Sequence, residues 1–162
     1  MSAGSGKLHY QVTGNGKKII VAFHGYGEQA AVYNVFGPCL GQQYTILSFD
    51  LPFHGSSAWG TKPFTHDSLK ELIETVTATY HVSKVTLMGY SIGARVCLAA
   101  MYASPTCIDA MLLMAADGLM VNRFYHFATK TAVGSWLFRS LLQGDTIVSL
   151  LHWCHKLRIV PN

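Results

Sequence analysis

Charge is scarce in this chain. Only 12% of its 162 residues are Asp, Glu, Lys or Arg, against the quarter usual in soluble domains, and half are apolar. The formal charge of +4 is dispersed, with Lys17-Lys18 the one adjacent basic pair, so there is no basic stripe for a phosphate backbone and nucleic acid is not an expected partner. Cysteine is thin as well. Cys39, Cys97, Cys107 and Cys154 form no Cys-x-x-Cys pair, and at least two fall inside apolar periodic segments, a pattern that suits reduced, intracellular thiols. The start, Met1 to Gly6, lacks the apolar stretch of a secretory signal, and no run anywhere approaches the length needed to cross a bilayer. The expectation is a cytoplasmic protein.

What the chain has is a rhythm of strands and helices. Lys18–Phe23 and Tyr44–Phe49 read as unbroken apolar strands, the kind buried on both faces of a sheet. Lys7–Thr13 alternates weakly and stops at a hairpin-type turn, Gly14-Asn15-Gly16. Val32, Val35, Phe36 and Leu40 then fall at helical spacing. Ser68-x-x-Glu71 has the form of a capping box, and Leu69, Leu72, Ile73, Val76 and Tyr80 put one apolar stripe on the helix that follows. A third strand ends at Gly89, and a fourth, Ala110–Ala116, runs to Asp117-Gly118 after a break at Ser104-Pro105-Thr106. Four parallel strands separated by helices predict an α/β fold over residues 1–118, with an open, mostly parallel sheet covered on both faces. Residues 119–162 show no strand. Phe124, Tyr125, Phe127, Trp136, Leu137 and Phe138, and then Ile147, Leu150, Leu151, Cys154 and Leu157, predict a helical lid.

The most informative stretch is Gly89-Tyr90-Ser91-Ile92-Gly93, set between a strand and the alanine-rich helical run that begins at Ala94. Strand, corner and helix in that order describe a nucleophile elbow, in which Gly89 and Gly93 make room for a strained turn that thrusts the serine outward.

Two further segments accompany it in order: His24-Gly25-Tyr26-Gly27 after the first apolar strand, and Asp50-Leu51-Pro52-Phe53-His54-Gly55-Ser56-Ser57 after the second. With these three landmarks, residues 7 to 118 resemble the α/β-hydrolase superfamily. The resemblance implies that Ser91 is the nucleophile and that the backbone N–H groups of Ile92 and Tyr26 form the oxyanion hole, with Gly25 opening the loop that carries Tyr26. Phe53 departs from the family's usual Asp-x-Pro-Gly-His-Gly-x-Ser by standing where the first glycine would be, which implies an altered loop and unchanged chemistry. In the family the acid and the histidine follow the nucleophile on loops beyond two further strands. Residues 119–162 read as helices instead, so the expectation is a hydrolase truncated at Asn162.

Other ionisable residues carry weaker signals. Asp117 ends a strand on the edge where a minority of the family carry the acid, and otherwise turns the chain into the lid. His24 and His54 occupy positions that order backbone, and His126, His152 and His155 fall in lid helices instead of a loop after a strand. His152-x-x-His155 has the spacing of half a metal site, but no cysteine or carboxylate cluster joins it, so no metal is expected. No organic cofactor is implied either. The resemblance thus points to a serine hydrolase that cleaves a carboxylic ester or thioester through an acyl-enzyme, with an apolar group on the substrate suggested by the greasy lid. Dehalogenase and epoxide hydrolase relatives use aspartate at the elbow. The competing reading is an inactive scaffold that binds a ligand or protein partner, and unfilled apolar surface also suggests self-association.

Overall fold

The computed structural model describes residues 1–3, 6–116, 130–133 and 135. The chain divides into two units, Met1–Gly118 and Leu119–Asn162. Of the second, the described residues form a helical turn in which the Ser135 N–H donates to the Thr131 carbonyl at 2.9 Å. The remaining expected lid residues lie outside the described residues, as does Asp117.

In the first unit, β1 (Ser2–Ala3) and β2 (Gly6–Lys7) form a small antiparallel pair, and five strands build the main sheet: β3 (Tyr10–Thr13), β4 (Lys18–Phe23), β5 (Tyr44–Phe49), β6 (Val85–Tyr90) and β7 (Ile108–Met114). Their order is β3-β5-β4-β6-β7. The last four are parallel and β3 is antiparallel to β5. The Gly14-Asn15-Gly16 turn therefore does not close a β3–β4 hairpin: β5 inserts between the two strands, because β4 has to pair on both sides in the interior of the sheet.

Alternation across β4 explains its unbroken apolar sequence. Val21 and Phe23 join Leu47, Phe49 and Leu87 beneath α2 (His66–Thr79) and α3 (Ile92–Ala103), whereas Ile20 and Ala22 join Ile46, Met88 and Tyr33 on the other face. There the cover is a 3₁₀ helix, Ala30–Phe36, followed by one α-turn, α1 (Gly37–Leu40), in place of the single helix that the spacing predicts. The last residues before Gly37-Pro38 wind tightly because Tyr33 is anchored to β4, its hydroxyl donating to the Phe23 carbonyl at 2.7 Å. The expected cap of α2 also moves. Thr65 is the N-cap and accepts the Ser68 N–H at 3.3 Å, leaving Ser68 inside the first turn. The apolar stripe behind it is as expected, with Leu69, Leu72, Ile73 and Val76 buried. β7 begins at Ile108, directly after a 3₁₀ turn at Pro105–Cys107, and ends at Met114.

Candidate active site

The chain crosses from β4 to β5 on one side and returns to β6 on the other, so the carboxyl ends of β4 and β6 lie side by side with the connections diverging from them. Open α/β sheets bind ligands in the crevice that such a reversal creates. Phe23 is in register with Gly89, which brings the loop starting at His24 beside the turn at Ser91.

Ser91 forms the corner between β6 and α3. Its backbone sits at φ 52° and ψ −115°, a region that costs a residue with a side chain on the order of 1–3 kcal/mol. The surroundings enforce it. The Ser91 N–H donates to the Met114 carbonyl at 3.0 Å, and its own carbonyl accepts the Ala94 N–H at 3.0 Å. Behind the corner, a Cβ on Gly93 would collide with the Phe23 carbonyl oxygen, so α3 starts as close to β4 as a backbone can come. Among the described residues the Ser91 hydroxyl has no hydrogen-bond partner. Ile92 is the first residue of α3, and its N–H therefore has no acceptor within the helix.

The loop after β4 is pinned by polar contacts. His24 is fully buried, with Nδ1 2.7 Å from the Gly25 carbonyl and Nε2 3.0 Å from the Leu51 N–H. A carbonyl can only accept and an amide N–H can only donate, so the ring is the neutral tautomer protonated on Nδ1, with both nitrogens occupied. Burial is the main reason that its pKa lies below the ordinary histidine value, the Gly25 carbonyl pulling the other way and His54 adding to the depression. Glu28 accepts the Gly25 N–H at 2.8 Å. A Cβ on Gly25 would lie 2.7 Å from the Tyr90 ring and 2.9 Å from the Glu28 carboxylate, so only glycine lets both close on this loop. The Tyr26 side chain is exposed and meets the His54 ring edge-on at 5.8 Å. His54 itself points Nδ1 at the Pro52 carbonyl, 2.9 Å away.

Phe53 adopts φ 64° with its ring exposed. It takes a left-handed conformation that glycine adopts without strain, so the cost of this turn falls on a phenylalanine.

One residue that the sequence reading left without a role is Asp50, which joins the site to the fold. Its Oδ1 accepts the Ala30 N–H at 2.6 Å and its Oδ2 the Ser56 N–H at 2.9 Å, with His9 Nδ1 at 2.8 Å from the same oxygen. Burial alone would raise its pKa, but these donors outweigh it and hold the carboxyl below the usual aspartate value. Its place at the head of the Asp50–Ser57 motif was the available signal, but its partners are up to 41 residues away in sequence.

Asp117, His126, His152 and His155 lie outside the described residues. Among the described residues no three His, Cys, Asp or Glu side chains gather as a metal site, and no helix is long and apolar enough to cross a membrane.

A family profile described as alpha/beta hydrolase fold matches residues 18–152. The chain belongs to the α/β-hydrolase fold family. Within that family it is 31% identical over 135 residues to a pimeloyl-(acyl-carrier protein) methyl ester esterase of Edwardsiella ictaluri, covering 76% of this chain and 50% of that protein. It is 27% identical over 113 residues to the uncharacterised hydrolase YugF of Bacillus subtilis, covering 69% and 41% respectively. A crystal structure of a hydrolase from Pseudomonas aeruginosa PA01 superposes with a TM-score of 0.65 at 18% identity, over 90% of this chain and 52% of that one, a likeness of α/β-hydrolase fold. The chain spans about a third to a half of the length of the curated relatives it matches.

Proposed function

We propose that this α/β-hydrolase chain carries the nucleophile of a hydrolase acting on a carboxylic ester or thioester, and that Ser91 is that nucleophile. The observation that carries the reading is the Ser91 hydroxyl, without a hydrogen-bond partner among the described residues, on a strained corner at the N-terminus of α3 and beside the His24–Gly27 loop. The esterase names among its relatives support the same class of substrate.

In this reading Oγ attacks the acyl carbon while the N–H groups of Ile92 and Tyr26 receive the developing oxyanion. The alcohol or thiol departs, leaving an ester on Ser91 that water then hydrolyses. A serine hydroxyl needs a base to take its proton, and that base is outside the described residues. Asp117 is proposed as the acid that orients it, and residues 119–162 as a helical cap segment. His24 does not compete for the base role, since both of its ring nitrogens are already bonded to backbone.

A fluorophosphonate probe tests the reading directly. Labelling of the wild-type chain that disappears in Ser91→Ala supports it, and a folded wild-type chain that resists the probe defeats it. The second reading, a non-catalytic scaffold, draws on a different observation: Met111 and Leu112 on β7 are 37% and 47% exposed, which leaves apolar strand surface open to a partner or a second copy. Sizing chromatography across concentrations separates that outcome, because a constant monomer peak counts against self-association.

A further inference from the structure

At the amino end of the main sheet, about 20 Å along β6 from Ser91, lies a cleft of about 470 Å³. Three of the seven Lys and Arg between residues 6 and 116 line it: Lys17, Lys18 and Lys84. The register of the sheet brings them together. β4 and β6 run parallel with Ile20 opposite Thr86, and extending that register by two residues sets Lys84 beside Lys18 at one strand spacing, about 4.8 Å. Lys18 Nζ lies over the Tyr44 ring, 5.8 Å from its centroid. Among the described residues no carboxylate pairs with any of the three lysines. Asp109, the one acid of the lining, accepts the Thr86 hydroxyl at 3.0 Å instead. His81 and Ser83 add further donors to the rim. His81 holds φ 52° just past α2, a left-handed position that glycine usually fills, so an imidazole stands there at a cost.

We propose that this cleft binds a phosphorylated small molecule with two or more negative charges, its diphosphate group held by Lys18 and Lys84 and reached by Lys17. Charge is the first argument. Three ammonium groups in one concavity repel one another, and a multivalent anion relieves that repulsion while being attracted to all three. Donor chemistry agrees, because an ammonium offers three donors and no acceptor, which phosphoryl oxygens satisfy, and the Ser83 hydroxyl and His81 ring can donate to the same oxygens. Size then selects the ligand. The cleft has room for about fifteen water molecules, more than a bare phosphate fills and enough for a phosphate ester with its organic part. No Phe, Tyr or Trp lines it to stack a base, which separates this site from a nucleic-acid groove. The cleft and Ser91 lie at opposite ends of the sheet, so the inference stands apart from the nucleophile reading.

The test titrates the full chain with inorganic diphosphate, orthophosphate and a short single-stranded DNA at constant ionic strength, following the backbone amide NMR shifts of Lys18, Ser83 and Lys84. Diphosphate should move these amides and bind about tenfold more tightly than orthophosphate, with an affinity that falls as salt is added. Lys18→Gln and Lys84→Gln should each weaken diphosphate about fivefold, and the double variant should abolish binding. Lys62→Gln, at an exposed position outside the cleft, should change nothing. Lys18 and Lys84 are exposed too, so these variants are expected to fold, and melting curves check it. Amides that do not move, equal affinity for the two anions, or a loss in Lys62→Gln as large as in Lys84→Gln overturns the proposal. DNA that binds more tightly than diphosphate overturns it as well, because the cleft would then belong to a nucleic-acid surface.

Discussion

Among the described residues, the sheet buries a cluster of sixteen under α2 and α3, whereas the face beneath the 3₁₀ helix buries five. The wide face is held by apolar area. Leu69, Leu72, Ile73 and Val76 send one helical stripe into Val21, Phe23, Leu47 and Leu87, and no polar contact is needed to fix it. The narrow face is held by hydrogen bonds. Asp50 receives the first N–H of the 3₁₀ helix, Tyr33 donates to β4, and Asn34 bridges to Thr13 and Gln11 on β3. A short helix that buries only Ala30 and Tyr33 leaves room beside it, a cleft lined by Val32, Val35, Tyr90 and Met114. The contrast suggests a division of labour, in which one face supplies stability and the other leaves space at the site.

The contrast can be broken by measurement. Leu72→Ala on the wide face removes a fully buried side chain from a close-packed cluster and should cost about 3 kcal/mol in chemical denaturation. Asp50→Asn, which weakens charge-assisted bonds to Ala30, Ser56 and His9, should cost about 2 kcal/mol at neutral pH. Tyr33→Phe keeps the ring and removes one hydrogen bond, so about 1 kcal/mol is expected. If it cost as much as Leu72→Ala, the two faces would not differ in kind. Thr13→Ala loses an exposed bond to Asn34, and its effect should stay below about 0.5 kcal/mol.

Acid sharpens the same comparison. His24 and Asp50 both have folded pKa values below their ordinary ones, so in each case the unfolded chain takes up the proton first. The stability that His24 contributes is whole above about pH 6.5 and is lost as pH falls towards its folded value. The contribution of Asp50 is whole above about pH 4 and is lost below that. Melting temperature should therefore decline with acidification in two stages, and Asp50→Asn should flatten the lower stage while slightly enlarging the upper one, because the Asp50 carboxylate partly offsets the lowering of the His24 pKa. An Asp50→Asn profile parallel to wild type throughout would remove Asp50 from the account.

Much of this was legible in the chain, and the exceptions have a common cause. β4 and β5 fall where the apolar runs place them, and the buried side of α2 follows its stripe, because a period of two or of 3.6 is a local property of the sequence. The strained corner at Ser91 was visible too, since Gly89 and Gly93 mark a turn that side chains would block. The misplaced cap of α2 is also local. Thr65 and Ser68 are both good capping residues three apart, and the sequence alone does not choose between them. β7 begins earlier than its apolar run suggests because Asp109 faces outward on an exposed strand, its carboxylate accepting from the Thr86 hydroxyl at 3.0 Å.

By itself, then, the sequence determined which segments are strand, helix and corner, and that a serine stands on the corner between β6 and α3. Tertiary structure alone decided that β5 parts β3 from β4, that the loop at His24 lies beside Ser91, and that Asp50 gathers donors from three separate segments. The physical reason is range. Side-chain periodicity and turn strain act over a few residues, whereas pairing order depends on which strands can bury both faces at once, and that choice involves the whole chain.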